Sequence, residues 1–518
     1  MNSRRIGVLA LVFAGAALIS GFTILRGGAP FDEGIVLQAA RRVAGGQVPY
    51  QDFDWAYGPL QPYLLGATFE VFGDSLLGWR VVRVLCDAGV ALIAFVIVRR
   101  EAPLGWALAA GLAVACAMAQ PTSATPTAPA LVCALGALLA ATSVGVRPHR
   151  AVLVAGALVA LTAAWRLDFA VYGAAAVLAA LTIAPHPLAE RVKRAALFGL
   201  SATLLGAAVY APFAAAIGPA DLYAELLGDS LGDRDFWTLP FPVAYGGSLR
   251  GWPPASLAED AKDVLGFYVP MLLVAGLALT GAMAILGRRR SGAGPAATLG
   301  LLALSAGGLA YLLSRNDEFH TTPMFVALSM ALALAIGHRW SSTAGRIMGF
   351  AAMALLGLLT AYGVLNRVSA LVQPPDLVSL DLPAADGTKV PPREARALEL
   401  TVRKVRQVVP PDRPIYTITR RSDLVRFNQP LVYVLADRDN PTRIEYGLQT
   451  SPERQRELVR ALRRAKPGAV VRWNDPITTF REPNLRGRPS GSRALDAYVA
   501  DSFRLLERYG EYEVLVPR

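Results

Sequence analysis

Several groups of ionisable side chains stand where long apolar runs give way to polar sequence, and their spacings suit chemistry at a membrane surface. Asp32 and Glu33 follow the first apolar run and precede a probable helix over Gly34 to Ala44 that carries Arg41 and Arg42. Acids are favoured in a first helical turn by the helix dipole, and a carboxylate held near cations also suits a general base for a hydroxyl acceptor. Arg80, Arg83 and Asp87 share one helix face through spacings of three and four. Arg83 with Asp87 reads as a satisfied pair, which leaves Arg80 over; guanidinium groups offer a phosphate leaving group bidentate donors. Arg166 with Asp168, and Arg315, Asp317, Glu318 and His320 in the polar loop from Ser314 to Pro323, fall on the same side and can converge with them.

The elements that must position these groups are membrane helices. The chain has 518 residues, 54% hydrophobic and 17% charged, and apolar runs recur through its first 365 positions. They lie at 6–25, 76–98, 104–119, 128–146, 151–165, 169–184, 195–217, 265–286, 296–313, 322–337 and 347–365. Many are long enough to cross a hydrocarbon core of about 30 Å. That predicts about eleven crossings and excludes a soluble globular enzyme. Lys and Arg cluster at every second boundary, at Arg4 and Arg5, Arg99 and Arg100, Arg147 and Arg150, Arg191 to Arg194, Arg288 to Arg290, and Arg339 and Arg346. Short cytoplasmic loops carry such an excess, so the expected topology is multi-pass in the cytoplasmic membrane, N-terminus inside and C-terminus outside. The stretch from Ala151 to Ala184 would be about 51 Å as a single helix, yet it is basic at both ends. It must be a hairpin turning at Trp165 to Asp168, where polar residues are costly and therefore suspicious. No small-x-small cleavage site stands clearly before Asp32, so the first run reads as an uncleaved helix.

The expected domains are a transmembrane unit over 1–370, with a first outer loop at 26–75, and a soluble α/β domain over 374–518. Its strand candidates are Ile415 to Thr419, Leu431 to Leu435, Ala469 to Trp473 and Tyr512 to Val516; its helix candidates are Arg393 to Val408, Pro452 to Ala465 and Ser492 to Tyr509. Of a net charge of +12, most lies after position 365, where 27 Lys+Arg face 19 Asp+Glu. This suits solubility, or attraction to anionic lipid headgroups or a polyanionic acceptor, and because the other basic residues flank apolar runs, nucleic acid is not an expected partner. Cys86, Cys116 and Cys133 lie inside apolar runs as small hydrophobes. Phe53, Trp55, Tyr57, Tyr63, Phe69 and Phe72 suit an interfacial aromatic belt, or stacking on a sugar. Asp52-x-Asp54, Asp233-x-Asp235 and Asp437-x-Asp439 repeat a pattern seen in metal sites, but two residues are close to chance and we discount them; a divalent metal stays open. Signatures of metalloproteases, P-loop NTPases, dinucleotide enzymes and nucleophile-elbow hydrolases are missing.

In order, Asp32-Glu33-Gly34, Ala44-Gly-Gly46, Pro49-Tyr50-x-Asp52-Phe53, Tyr57-Gly-Pro-Leu60, Pro62-Tyr63, Phe72-Gly73 and Arg80-x-x-Arg83 resemble the opening of GT-C membrane glycosyltransferases. That superfamily includes protein O-mannosyltransferases and the aminoarabinose transferases acting on lipid A. Arg166-x-Asp168, Arg315-x-Asp317 and His320-Thr-Thr-Pro323 support the resemblance. It implies inverting transfer of a sugar from a polyprenyl-phosphate donor to a glycan, lipid or protein acceptor at the outer face. By that resemblance Asp32 is the general base and Glu33 positions it or the acceptor. Arg80, Arg83, Arg166 and Arg315 meet the departing phosphate, and His320 bonds the phosphate or the sugar. Tyr57, Asp52, Asp168 and Asp317 fall at the substrate. Two other functions fit a many-helix scaffold with outward arginines: a polymerase or ligase using polyprenyl-pyrophosphate glycans, and a lipid-linked sugar flippase or transporter. The latter should show unpaired charges near the bilayer midplane and repeat symmetry, neither of which is evident.

Overall fold

The computed structural model describes residues 3–143, 148–184, 186–228, 293–315, 318–337, 343–372, 374–423, 428–444, 451–474 and 492–518, with isolated positions between 272 and 282. The apolar run at 265–286, Asp317, the Asp233-x-Asp235 pair and the segment from Arg481 to Gly491 fall wholly or largely outside the described residues. Six described helices are long and apolar enough to cross a membrane, and four shorter apolar helices accompany them.

The membrane unit opens with α1 (Ser3–Gly21) and two helices of the first loop, α2 (Asp32–Ala44) and α3 (Leu60–Phe72). It continues through α4 (Leu76–Glu101), α5 (Leu104–Met118), α6 (Thr127–Ala141), α7 (Pro148–Trp165), α8 (Leu167–Thr182), α9 (Leu188–Ile217) and the short α10 (Pro219–Tyr223). After the undescribed stretch come α11 (Ala293–Ser314), α12 (Glu318–Gly337) and α13 (Thr343–Val372). α4 lies against α1, α5 and α6, and α8 against α6 and α11, so the arginine-bearing helices face the interior of the bundle. Ser75, in extended conformation, caps α4 by accepting the Leu77 N–H at 3.1 Å. The expected hairpin breaks at Arg166, whose backbone is extended (φ −154°, ψ 122°) between α7 and α8.

The C-terminal domain pairs β1 (Val378–Ser379) with β2 (Lys389–Val390), then places α14 (Pro392–Val408) ahead of a four-stranded sheet. Its strands are β3 (Ile415–Thr419), β4 (Ala469–Trp473), β5 (Phe503–Tyr509) and β6 (Tyr512–Pro517), in the order β3-β4-β6-β5, with β3 and β4 parallel and the rest antiparallel. Between the strands lie α15 (Leu431–Ala436), α16 (Pro452–Ala465) and α17 (Ala494–Ser502).

Two elements correct the expectations. Leu431 to Leu435 is a helix, not a strand: all six residues of α15 are buried after Pro430, and a short apolar run buried on every side carries no period to tell helix from strand. Ser492 to Tyr509 is not one helix; it stops at Ser502, and Phe503 onward pairs with β6 across the Gly510–Glu511 turn. The aromatic belt is corrected too. Phe53, Trp55 and Phe69 are buried inside the protein, whereas Tyr63 and Phe72 are exposed.

The two units share one core, and the join runs along α2. Gly34 lies under Pro430 and Leu431 so closely that a Cβ there would meet the Pro430 carbonyl carbon at 2.8 Å and overlap the Leu431 nitrogen. The Leu431 N–H in turn donates to Pro30 O at 3.3 Å. Further along α2, Arg41 reaches Asp437 at 2.6 Å, Asp439 at 3.4 Å and Asp74 at 3.5 Å. Arg42 donates to the carbonyls of Asn440 and Thr442. Asp54 binds Arg443 and Arg454 at 3.4 and 3.5 Å; burial raises its carboxyl above the usual value while those two arginines oppose the shift.

Candidate active site

Arg166 is the centre of the site. Extended backbone at the α7–α8 break aims its side chain inward, where it is 8% exposed. Nε and Nη2 grip the Asp168 carboxylate at 3.0 and 2.7 Å, and Nη1 donates to Thr127 Oγ1 at 3.1 Å and Tyr311 OH at 3.3 Å. The guanidinium carbon lies 5.2, 4.9 and 4.8 Å from the ring centres of Tyr57, Phe169 and Tyr311. A guanidinium has five N–H donors; four are used among the described residues, so one N–H on Nη2 is left for a ligand. Asp168 cancels much of the charge, and what Arg166 offers is a directed donor in a fixed plane.

Tyr57 arrives from the first loop through a glycine. Gly58 packs on the end of α7, its N–H donating to Trp165 O at 3.0 Å, and a Cβ would overlap the Ala164 carbonyl. Trp55 Nε1 donates to Gly58 O at 3.0 Å, and Tyr50 OH donates to Tyr57 O at 2.6 Å, fixing the approach. Burial pushes the Tyr57 phenol well up; Arg166 opposes this, and the negative charges of Asp32 and Asp168 add to it. The hydroxyl is therefore a neutral donor that lies within the electrostatic reach of Asp32.

The adjacent acids of the first loop differ. Asp32 is exposed at the start of α2. Glu33 is 1% exposed and takes Arg80 Nε at 2.5 Å on Oε1, and Arg80 Nη2 at 2.8 Å together with the Ala29 N–H at 2.9 Å on Oε2. Arg80 also donates to the carbonyls of Ile24 and Gly27. The arginine expected to be left over thus spends four of its five N–H donors on Glu33 and the backbone of the first loop, and it ties that loop to α4. Arg83 holds Asp87 at 2.7 Å, Asp87 also accepts from Ser20 at 2.6 Å, and this buried set lies one turn deeper along α4.

His320 belongs to the first turn of α12 and not to a loop, and its ring stacks 4.4 Å from that of Tyr311. Arg315 follows α11, its N–H donating to Leu312 O at 3.2 Å. Asp52 accepts the Val48 N–H at 2.7 Å inside the first loop. The structure therefore gathers Tyr57, Arg166, Asp168 and His320 around Tyr311, with Asp32 at their edge; it sets Arg80 with Glu33, and Arg83 with Asp87, as separate buried pairs. Tyr311 and Thr127 escaped the sequence analysis, because a lone tyrosine near the end of an apolar run reads as an interfacial anchor. Among the described residues no three His, Cys, Asp or Glu side chains converge as metal ligands. Asp54 and the Asp437–Asp439 pair hold arginines instead.

No protein-family model and no curated protein matches the sequence. Solved structures do. The chain superposes on ArnT from Cupriavidus metallidurans bound to undecaprenyl phosphate with a TM-score of 0.58 and 13% identity, over 99% of this chain and 98% of that one. Against the archaeal oligosaccharyltransferase AglB from Archaeoglobus fulgidus, in complex with an inhibitory peptide and a dolichol-phosphate, the TM-score is 0.52 at 12% identity, over 99% and 74% of the two chains. The fold is that of the GT-C membrane glycosyltransferases. At these identities the likeness is one of architecture: a GT-C bundle with a small sheet domain near its C-terminus.

Proposed function

We propose that this chain transfers a sugar from a polyprenyl-phosphate donor to an acceptor at the outer face of the cytoplasmic membrane, inverting the anomeric carbon. The observation that carries this is the Arg166 centre, with one donor to spare and Tyr57 beside it, next to the exposed Asp32. The fold shared with a structure holding undecaprenyl phosphate and one holding dolichol-phosphate supports the donor class.

In this mechanism Asp32 takes the proton of the acceptor hydroxyl as the acceptor oxygen bonds the anomeric carbon. The bond from that carbon to the phosphate oxygen breaks, and polyprenyl phosphate leaves. The free Nη2–H of Arg166 and the neutral Tyr57 hydroxyl donate to the departing oxygens, with His320 and Arg315 on the same side. Glu33 and Arg80 act through position, fixing the loop that carries Asp32. Each step is assigned to side chains of this chain; the role expected of Arg83 passes to holding Asp87 within α4.

The test is donor turnover: purified protein in lipid, a panel of polyprenyl-monophosphate sugars, and mass spectrometry for released polyprenyl phosphate. One sugar is expected to turn over, with loss in Asp32→Asn. Full turnover by a folded Asp32→Asn variant would overturn the assignment of the base, and turnover only of pyrophosphate-linked glycans would favour a polymerase or ligase.

A further inference from the structure

Tyr50 carries a conformation that its own side chain resists. Its φ is +68°, and among the described residues it is the one aromatic at positive φ; a bulky residue there is strained and stays so only where its surroundings hold it. They do, on four sides. Its N–H donates to Phe53 O at 2.9 Å, its carbonyl accepts from Arg443 Nη2 at 2.9 Å, its ring meets that of Phe213 edge-on with centres 5.2 Å apart, and its hydroxyl donates to Tyr57 O at 2.6 Å. Tyr50 is 1% exposed. The hold from Arg443 comes from the other domain, in the segment that follows α15. Arg443 Nη1 also donates to Gln51 O at 2.8 Å, Nη2 to Glu225 Oε1 at 3.1 Å and Nε to Asp54 Oδ1 at 3.4 Å, while the Asp54 N–H donates to Arg443 O at 3.0 Å. Its two short bonds go to the carbonyls of Tyr50 and Gln51 and its longer ones to carboxylates, and a half-exposed ion pair by itself adds little stability. What Arg443 supplies is a fixed plane of donors that sets the direction of the loop.

The direction of the loop matters at one peptide. The unit joining Tyr57 to Gly58 is held at both ends, its oxygen by the Tyr50 hydroxyl and its N–H by the carbonyl of Trp165, the residue next to Arg166, at 3.0 Å. Tyr57 leaves that unit with its ring centre 5.2 Å from the Arg166 guanidinium carbon. We propose that Arg443 is a positioning residue for the transfer reaction: by holding the Tyr50 carbonyl it keeps Tyr50 in its strained form, and through the Tyr50 hydroxyl it sets the Tyr57 phenol against Arg166. The proposal rests on the transfer function of that site. The C-terminal domain thereby takes part in the chemistry without touching a substrate, and the donor site is complete only while Arg443 is seated on the first loop.

Position can be read without any substrate, by fluorine NMR of the full-length protein in lipid nanodiscs with fluorotyrosine in place of tyrosine. The signal missing from Tyr57→Phe is that of Tyr57. It should shift in Arg443→Ala, and also in Tyr50→Phe, which leaves the contact between the domains in place. It should stay put in Arg454→Ala, which removes a different bond between Asp54 and the same domain. Donor turnover reads the consequence. Arg443→Ala should lower kcat by about tenfold or more, since a small misplacement of a catalytic group is costly, with donor KM little changed because the Tyr57 bond is made to the departing group. In Tyr57→Phe, where no hydroxyl is left to place, Arg443→Ala should lower kcat no further. An unmoved Tyr57 signal in folded Arg443→Ala or Tyr50→Phe would overturn the proposal. So would an equal loss of kcat in Arg454→Ala, which marks general docking of the domain, or a full further loss in the Tyr57→Phe background. A Tyr57 signal that moves as expected in a protein that turns over no polyprenyl-linked donor refutes the transfer function alone.

Discussion

The Glu33 carboxylate takes two guanidinium nitrogens of Arg80, at 2.5 and 2.8 Å, in a pair that is at most 1% exposed. Its chain neighbour Asp32 is exposed on the same first turn of α2. One acid anchors the loop inside the protein, and the other stands at its surface. Breaking the pair from one side strands a buried charge, so Arg80→Ala should cost about 3–5 kcal/mol. Glu33→Leu with Arg80→Leu should cost less than Arg80→Ala, since no charge is then left unpaired. Thermal unfolding of the purified variants in lipid checks the order.

Arg166 is held by geometry that lysine cannot copy, namely two bonds to Asp168, two to hydroxyls and three aromatic rings around one plane. Arg166→Lys should lower donor turnover by about 100-fold or more, comparable to the loss of one oxyanion donor. Asp32→Asn should lower it by about 100- to 10,000-fold, the usual contribution of a general base. Both are read as release of polyprenyl phosphate, with the unfolding temperature of each variant as control.

Gly34→Ala tests the join between the domains. The added carbon meets backbone atoms of Pro430 and Leu431 that cannot rotate away, so α15 must shift. A loss of about 1–3 kcal/mol is expected, with faster proteolysis between 374 and 451 than in the wild type. An unchanged unfolding temperature and digestion pattern would show that α15 does not rest on α2.

In the C-terminal domain, Arg421 holds Asp423 through two bonds of 2.7 Å, and this keeps the Asp423 carboxyl below the usual carboxylate range. A depressed acid contributes stability above its unfolded value, about 3.9, and that contribution is lost as pH falls through the folded value. Unfolding temperature should therefore drop as pH falls below about 4, and the drop should be smaller in Asp423→Asn, which lacks the titrating group.

The membrane class, ten of the helices now described, the hairpin break at Arg166 and the strands at Ile415, Ala469 and Tyr512 were legible because each depends on a local rule: apolar length, charge at a boundary, or alternation within a strand. Candidate chemistry was legible for a related reason, since an ionisable residue in or beside an apolar run is costly and stands out. Partnership is not local. Glu33 with Arg80 spans 47 positions, Arg166 with Tyr311 spans 145, and Arg41 meets Asp437 from another domain. No spacing rule relates such residues. The apolar run of α15 was equally silent, because burial on every side erases the period that separates helix from strand. The sequence by itself determined a many-helix membrane chain with a basic α/β tail and exposed the charges that could act; only tertiary packing decided which charges are spent on each other, as Glu33 with Arg80 and Arg83 with Asp87, and which aromatic rings and hydroxyls close around Arg166.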